Sequence, residues 1–288
     1  MSENPGALNR QDVQRRFERA ARHFDDADFL HRATAEGMLE RMLPMRLQAT
    51  RIIDLGSATG NASRRLAKLY RPGRVVSLDL SAAMLAKARS ARGWLAKISE
   101  VQADATALPF ADGSADLVFA NLLLPWIDDV PAFFCEVARV LQKDGLFVFS
   151  TLGPDSLLSL RQAWQTIDRA EHVNRFADMH DVGDALLQGR LRDPVLDVDN
   201  MSLHYSDVDA LFRDLTNAGA RNSLIGRRRT LTPKQDLAAL KRHLRQQMQD
   251  DALAMRLELI FGHAWGSGPA TAAGEYRLDP AEITRRRR

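Results

Sequence analysis

Apolar and polar positions along this chain switch repeatedly between a two-residue and a helical period. Arg51–Leu55 (RIIDL) is a short apolar run that carries an acid, Asp54, near its end and passes into the turn Gly56-Ser57-Ala58-Thr59-Gly60. Ala62, Leu66, Ala67 and Leu69 then recur at helical spacing, so strand, tight turn and helix are predicted in succession. The alternation continues. Val75–Leu78 ends at Asp79, and a helix Ser81–Arg89 follows with Ser81 as its cap. Ile98–Gln102 ends in Ala103-Asp104-Ala105, and the turn Asp112-Gly113 leads into Ala115–Ala120, which stops at Asn121. A helix over Val130–Leu141, a turn at Lys143-Asp144-Gly145 and a strand over Leu146–Thr151 complete the regular part.

Both flanks are less regular. Residues 1–10 read as disordered, and Gln11 to about Met42 is helical in pattern. After Thr151 the spacing predicts helices over Asp155–Asp168, Met179–Gln188, Asp207–Ala218 and Pro233–Asp250. Strands are predicted over Pro194–Tyr205 and Leu253–Trp265. Strands alternating with helices predict an α/β fold, a mostly parallel seven-stranded sheet with helices on both faces.

Composition narrows the picture only slightly. With 288 residues, 45% hydrophobic and 27% charged, the chain has the make-up of one large globular domain. Cys135 is the only cysteine. It lies in an amphipathic run and reads as a small buried apolar residue, so neither a disulfide framework nor a cysteine metal site is expected. The start of the chain lacks an apolar core, and no apolar run is long enough to span a bilayer, so a cytoplasmic protein is expected. The net charge of +3 and pI near 9.2 owe part of their excess to Arg227-Arg228-Arg229 and Arg285–Arg288. Without interleaved aromatics, these arginines do not make a nucleic-acid surface.

Four successive strand ends carry Asp54, Asp79, Asp104 and Asn121, all on one edge of the predicted sheet. Glycine at 56 and 60 would let a ligand approach the backbone, and an acid about twenty residues beyond the turn can accept both hydroxyls of a ribose. The series DLGSATG, SLDLSAAML, QADATALPF and ADLVFANLLLPW resembles class I S-adenosylmethionine-dependent methyltransferases, whose fold is Rossmann-like. The resemblance implies S-adenosyl-L-methionine as cofactor and S-adenosyl-L-homocysteine as product. It assigns the cofactor to Asp54, Gly56, Ser57, Gly60, Asp79, Leu80, Met84, Asp104, Ala105, Asn121 and Leu122, with Phe24 reaching it from an N-terminal lid. One departure stands out: Ala58 occupies the middle of the loop where the family usually has glycine, and its methyl group could crowd the ligand.

FERAARHFDDADFLHR, ANLLLPWIDD, FSTLGPDSLLSLRQAW, HVNRFADMHDVGDAL and FGHAWG are similar to the malonyl-[acyl-carrier protein] O-methyltransferases, over roughly residues 12–266. That implies methylation of a free malonyl carboxylate to the ester that primes pimeloyl synthesis for biotin. A carboxylate is already an anionic nucleophile, and no base–nucleophile pair is evident. The substrate needs a cation, and Arg175 is the candidate, with His172 and Asn174 beside it; the alternative for Arg175 is a structural salt bridge. Trp126 and Pro125 follow the fourth strand, where the family closes over the methyl group, and His263 and Trp265 are either core or site. The implied division is an N-terminal helical lid (1–45), a cofactor-binding core (46–152), substrate-side helices and final strands (153–266) and a mobile basic tail (267–288). The expected partner is malonyl-acyl-carrier protein, docked by Arg227–Arg229, on a monomeric enzyme without metal, nucleic acid or membrane. Two other readings fit the first half of the chain, a methyltransferase acting on another small molecule such as a quinone ring and a complex I assembly factor that hydroxylates a protein arginine. A third, a cofactor-binding protein without chemistry, is kept open by Ala58.

Overall fold

The computed structural model describes residues 7–93, 96–228 and 230–268. Five parallel strands, β1 (Arg51–Leu55), β2 (Arg74–Asp79), β3 (Ile98–Gln102), β4 (Ala115–Asn121) and β5 (Leu141–Leu152), are extended by the antiparallel pair β6 (Arg192–Tyr205) and β7 (Leu253–Trp265). The seven strands run in the order β3-β2-β1-β4-β5-β7-β6. Strand order reverses between β1 and β4, and there an open parallel sheet leaves a crevice beyond its carboxyl ends.

The helices are α1 (Arg10–Ala20), α2 (Phe29–Met42), α3 (Asn61–Leu69), α4 (Ala82–Ala91), α5 (Val130–Val140), α6 (Leu158–Gln165), α7 (Met179–Gln188), α8 (Val208–Asn217) and α9 (Lys234–Gln246). Side chains of a strand alternate between faces, and β1, β4 and β5 feed two separate cores. On one face Leu55, Val118, Phe147 and Phe149 pack against Phe133 and Phe134 of α5 and Leu186 of α7. On the other face Ile52, Leu117, Phe119 and Val148 meet Met38 and Met42 of α2 and Leu66 of α3. Burial on both sides explains why β4 is apolar without a break from Leu117 to Ala120. A third cluster joins α6, α8 and α9 to the start of β7 through Leu160, Leu211, Leu240, Leu244 and Met255.

Several sequence expectations are corrected. Cys135 is exposed, because Phe133, Phe134, Val137 and Ala138 form the buried face of α5 and residue 135 falls on the other side. Lys143-Asp144-Gly145 is not a free turn but an irregularity inside β5, with Asp144 at φ 62°. The helix expected from Asp155 starts only at Leu158. Ser156 is held by β7, its hydroxyl donating to the Glu258 carbonyl and accepting from the Glu258 N–H, both at 3.0 Å. The helix expected to reach Asp250 stops at Gln246, and a tight turn through Asp250 and Asp251 (φ 49° and 58°) leads into β7. Leu8 and Asn9 are ordered rather than free, since Leu8 bridges to Leu224 and the Asn9 side chain caps α1. Ser267, the first residue of the tail expected to be mobile, is also tied, its hydroxyl donating to the Arg190 carbonyl at 2.7 Å. Residues 1–6, Arg229 and the tail from 269, including Arg285–Arg288, lie outside the described residues.

Candidate active site

The β1–α3 loop bends over Asp79. The carboxylate of Asp79 accepts the Ala58 N–H at one oxygen (2.9 Å) and the Ser81 N–H at the other (2.8 Å). Each oxygen keeps a lone pair for a further donor. Ala58 adopts φ 46°, the left-handed backbone that glycine takes without strain, so alanine here keeps the loop shape expected of glycine. Gly56 is also left-handed (φ 66°), and a side chain there would meet Leu123 at 3.0 Å. Gly60 serves packing instead: at φ 77°, a Cβ would lie 2.9 Å from that of Ala88 in α4. Leu122, after β4, is left-handed too (φ 52°). Strained non-glycine residues therefore stand on both sides of the crevice, as is common at functional sites.

Asp54 is buried and accepts the Ser63 hydroxyl at 2.5 Å, which in turn accepts from Ser77 at 2.6 Å. Burial pushes the Asp54 carboxyl up to about 7 and that of Asp79 up to about 6. Asp104 accepts the backbone N–H and hydroxyl of Thr106, both at 2.8 Å, and its other oxygen pairs with Arg10. The Asn121 side chain is engaged by α2. It donates to the His31 carbonyl (2.8 Å), and its oxygen faces the hydroxyls of Thr34 and Ser150, each at 2.7 Å.

The N-terminal helices meet the same loops. The Glu18 carboxylate of α1 accepts the Ala82 and Ala83 N–H groups (2.9 and 3.1 Å), and Asp25 accepts the Thr59 hydroxyl at 2.6 Å. Between these helices and the strand ends lies a cavity of about 410 Å³, walled by Phe17, Phe24, Gly56, Ala58, Asp79 and Asn121 among others. Leu80, Asp104, Ala105 and Leu122 also face it. Asp54 and Ser57 border a small adjoining hollow, where the Ser57 hydroxyl is buried without a partner. Met84 borders neither; it is fully buried in a cluster with Ala20, Ala21 and Phe24. The cavity and the hollow beside it meet what an adenosyl amino acid requires: an apolar slot, a carboxylate with free lone pairs for a diol, and, in the hollow, a buried hydroxyl that has no partner among the described residues.

A second cavity, of about 610 Å³, opens on the other side of α1 toward α6, α8 and the loop before α9. The two cavities share three wall residues, His31, Leu122 and Trp126. Trp126 stands edge-on to Phe17, with centroids 5.1 Å apart. His31 packs on Phe24 at 4.9 Å, its Nδ1 is buried with no hydrogen-bond partner among the described residues, and burial lowers its pKa to about 4. The imidazole is therefore neutral at neutral pH.

The structure separates the substrate-side residues expected from sequence. His172 lies in the second cavity, stacked on Trp164 at 3.7 Å with its Nε2 at 2.7 Å from Asp168. Burial pushes the Asp168 carboxyl upward, but the bonds from His172 and the Ala170 N–H outweigh it and hold the group below its ordinary value. Asn174 and Pro125 face the same cavity. Arg175 does not: it is exposed and pairs with Glu171, four residues earlier. His263 and Trp265 border neither cavity. Two residues escape a reading of sequence alone. His31 reads as an ordinary polar position of α2, and Arg16 as one of several solvated arginines of α1. Among the described residues, no group of three or more His, Cys, Asp or Glu could hold a metal, and no helix is long and apolar enough to cross a membrane.

Residues 53–149 match the family described as "Methyltransferase domain". The fold is shared with phosphoethanolamine N-methyltransferase 2 of Haemonchus contortus, solved with phosphomonomethylethanolamine and S-adenosylhomocysteine. That match has a TM-score of 0.57 at 17% identity and covers 93% of this chain and 62% of the other. Two curated relatives are far more similar in sequence. The malonyl-[acyl-carrier protein] O-methyltransferase of Gallionella capsiferriformans is 40% identical, over 92% of this chain and 94% of its own length. The enzyme of the same name from Halorhodospira halophila is also 40% identical, over 99% and 100%. The chain is therefore a methyltransferase and belongs to the malonyl-[acyl-carrier protein] O-methyltransferase family.

Proposed function

We propose that this chain transfers the methyl group of S-adenosylmethionine to the free carboxylate of malonyl-acyl-carrier protein, giving the methyl ester that primes pimeloyl synthesis for biotin. The observation that carries this reading is the wall shared by the two cavities. A polar-ended slot suited to an adenosyl sulfonium meets a larger, mostly apolar chamber only at His31, Leu122 and Trp126. When bound, the cofactor supplies an electrophilic methyl group. The chain has to hold an anion in line with it and exclude water. No base is needed, because a carboxylate is ionised at neutral pH.

The neutral His31 ring is suited to donate a hydrogen bond to one carboxylate oxygen while leaving the other to attack. A neutral donor orients the nucleophile with less quenching than a buried guanidinium. Trp126 and Phe17 close the junction against solvent. His172, fixed by Asp168 and Trp164, and the unpartnered buried oxygen of Asn174 line the path of the thioester arm. The N-terminal helices act as the lid, and Asp79, Asp104 and Ser57 are the polar contacts of the cofactor. We place the enzyme in the cytoplasm as a monomer. The test is genetic: the chain, expressed in a strain blocked at the first methylation of biotin synthesis, restores growth without biotin. Failure of a well-expressed, folded protein to do so contradicts the assignment.

The raised carboxyls give a pH dependence. The folded chain holds the Asp54 and Asp79 protons to higher pH than the unfolded chain does. Each group therefore favours folding near the ordinary carboxyl value and loses that contribution as pH rises through about 6 to 7. A sulfonium cation favours the ionised forms. S-adenosylmethionine is expected to bind more tightly as pH rises through the same window and to release protons on binding. Calorimetry in buffers of different ionisation enthalpy checks this; equal heats in all buffers would contradict it.

A further inference from the structure

The second cavity carries an arginine cluster. Arg16, Arg221, Arg227 and Arg228 all face it, around the loop that leads to Leu231, 94% exposed at the rim. Arg16 donates from Nη2 to the Asn222 carbonyl at 2.5 Å, which draws α1 onto this loop. The Nε atoms of Arg16 and Arg227 are buried with no hydrogen-bond partner among the described residues. Acids answer only part of the charge. Arg227 pairs with Asp12, and Arg228 lies 3.9 Å from Asp168 and 3.6 Å from Asp236. Among the described residues neither Arg16 nor Arg221 forms an ion pair. Burial and repulsion from Arg227 and Arg221 lower the pKa of Arg16, so the cluster is held together against its own charge.

Like charges gathered at the rim of an apolar chamber, with acids answering only some of them, point to an anion as the missing partner. The reacting carboxylate belongs at the shared wall, beside His31 and Trp126. An acyl carrier presents its thioester on a long pantetheine arm attached through a phosphodiester. With the acyl group at the junction, the arm lies in the chamber, and its phosphate is the anion available to the cluster.

We infer that Arg16, Arg221 and Arg227 form a phosphate-binding site at the mouth of the second cavity, which recognises the phosphodiester of the substrate's pantetheine arm. The assignment rests on the reading of the reaction given above and deepens it. The carboxylate, expected from sequence at Arg175, is oriented by a neutral ring, and the guanidinium cluster selects the carrier arm.

The test compares a phosphate-bearing with a phosphate-free substrate. Initial rates are measured with malonyl-acyl-carrier protein, malonyl-coenzyme A and malonyl-N-acetylcysteamine, which ends before the phosphate. Arg221→Gln alters an exposed side chain, and Arg16→Lys keeps the charge while removing the fork; calorimetry with S-adenosylhomocysteine checks that both variants are folded. For Arg221→Gln the ratio of kcat/KM for coenzyme A over N-acetylcysteamine substrate is expected to fall roughly tenfold or more, mostly through KM. Arg16→Lys is expected to lower the same ratio by a smaller factor. The ratio for the carrier protein over N-acetylcysteamine should fall in parallel with the coenzyme A ratio. A fall for the carrier protein alone would locate the charge in protein docking and overturn the phosphate site. An equal fall with all three substrates, or none with any, overturns it as well. If the wild-type chain methylates none of them, the reading of the reaction fails together with this assignment.

Discussion

Replacing Asp79 by asparagine is expected to weaken binding of S-adenosylhomocysteine by roughly a hundredfold or more, the sum of two charge-assisted hydrogen bonds at about 1.5–3 kcal/mol each. The effect has two sources. Asparagine offers one acceptor oxygen where the carboxylate offers two. Its amide would also turn N–H groups toward the N–H of Ala58 or Ser81, both of which now donate to Asp79 at 2.9 and 2.8 Å. The loop that shapes the crevice would therefore loosen while the ribose lost its partner. Titration calorimetry with S-adenosylhomocysteine, which lacks the sulfonium charge, isolates this from simple charge attraction. A change below about threefold would mean that the ribose is held elsewhere.

The second large effect is expected at His31. A leucine there keeps most of the volume at the junction and removes both ring nitrogens. Loss of one hydrogen bond to a charged oxygen lowers kcat by roughly ten- to a hundredfold, whereas affinity for S-adenosylhomocysteine stays within about threefold. Glutamine, another neutral donor, should recover part of kcat; arginine should not, because a buried cation would hold the carboxylate too tightly. If His31→Leu raised only KM, or if glutamine were no better than leucine, the ring would be a wall and not a donor.

The framework of the site was legible because its signals are local. Asp79 and Asn121 end their strands and Asp104 comes just after its own, Gly56 and Gly60 bracket a turn, and the strand runs fall where the sheet has them, with β7 matching at both ends. Boundaries went astray where a distant partner decided them. Ser156 belongs to Glu258, which delays α6, and Asp144 follows the path of β5 and does not turn. Cys135 failed for a related reason: the apolar residues around it described the correct face of α5, but residue 135 does not lie on it. The substrate side was the least readable. HVNRF places His172 and Asn174 in the cavity, yet Glu171 takes Arg175 away from it. His31 and Arg16 acquire meaning only when α1 and α2 fold over strand ends and loops far away in the chain. Ala58 had raised doubt about the cofactor loop. Its backbone takes the glycine-like conformation, and its N–H serves Asp79.

The destination of the methyl group is the decisive point. Purified protein should be incubated with methyl-labelled S-adenosylmethionine and malonyl-acyl-carrier protein, and the product examined by mass spectrometry before and after mild base. One label per malonyl group is expected, released by base as methanol and not with the acyl group freed from the thioester, and matched one for one by S-adenosylhomocysteine. Label on a carbon, on a side chain of the carrier protein or nowhere, from a protein that binds the cofactor, would contradict the proposed reaction.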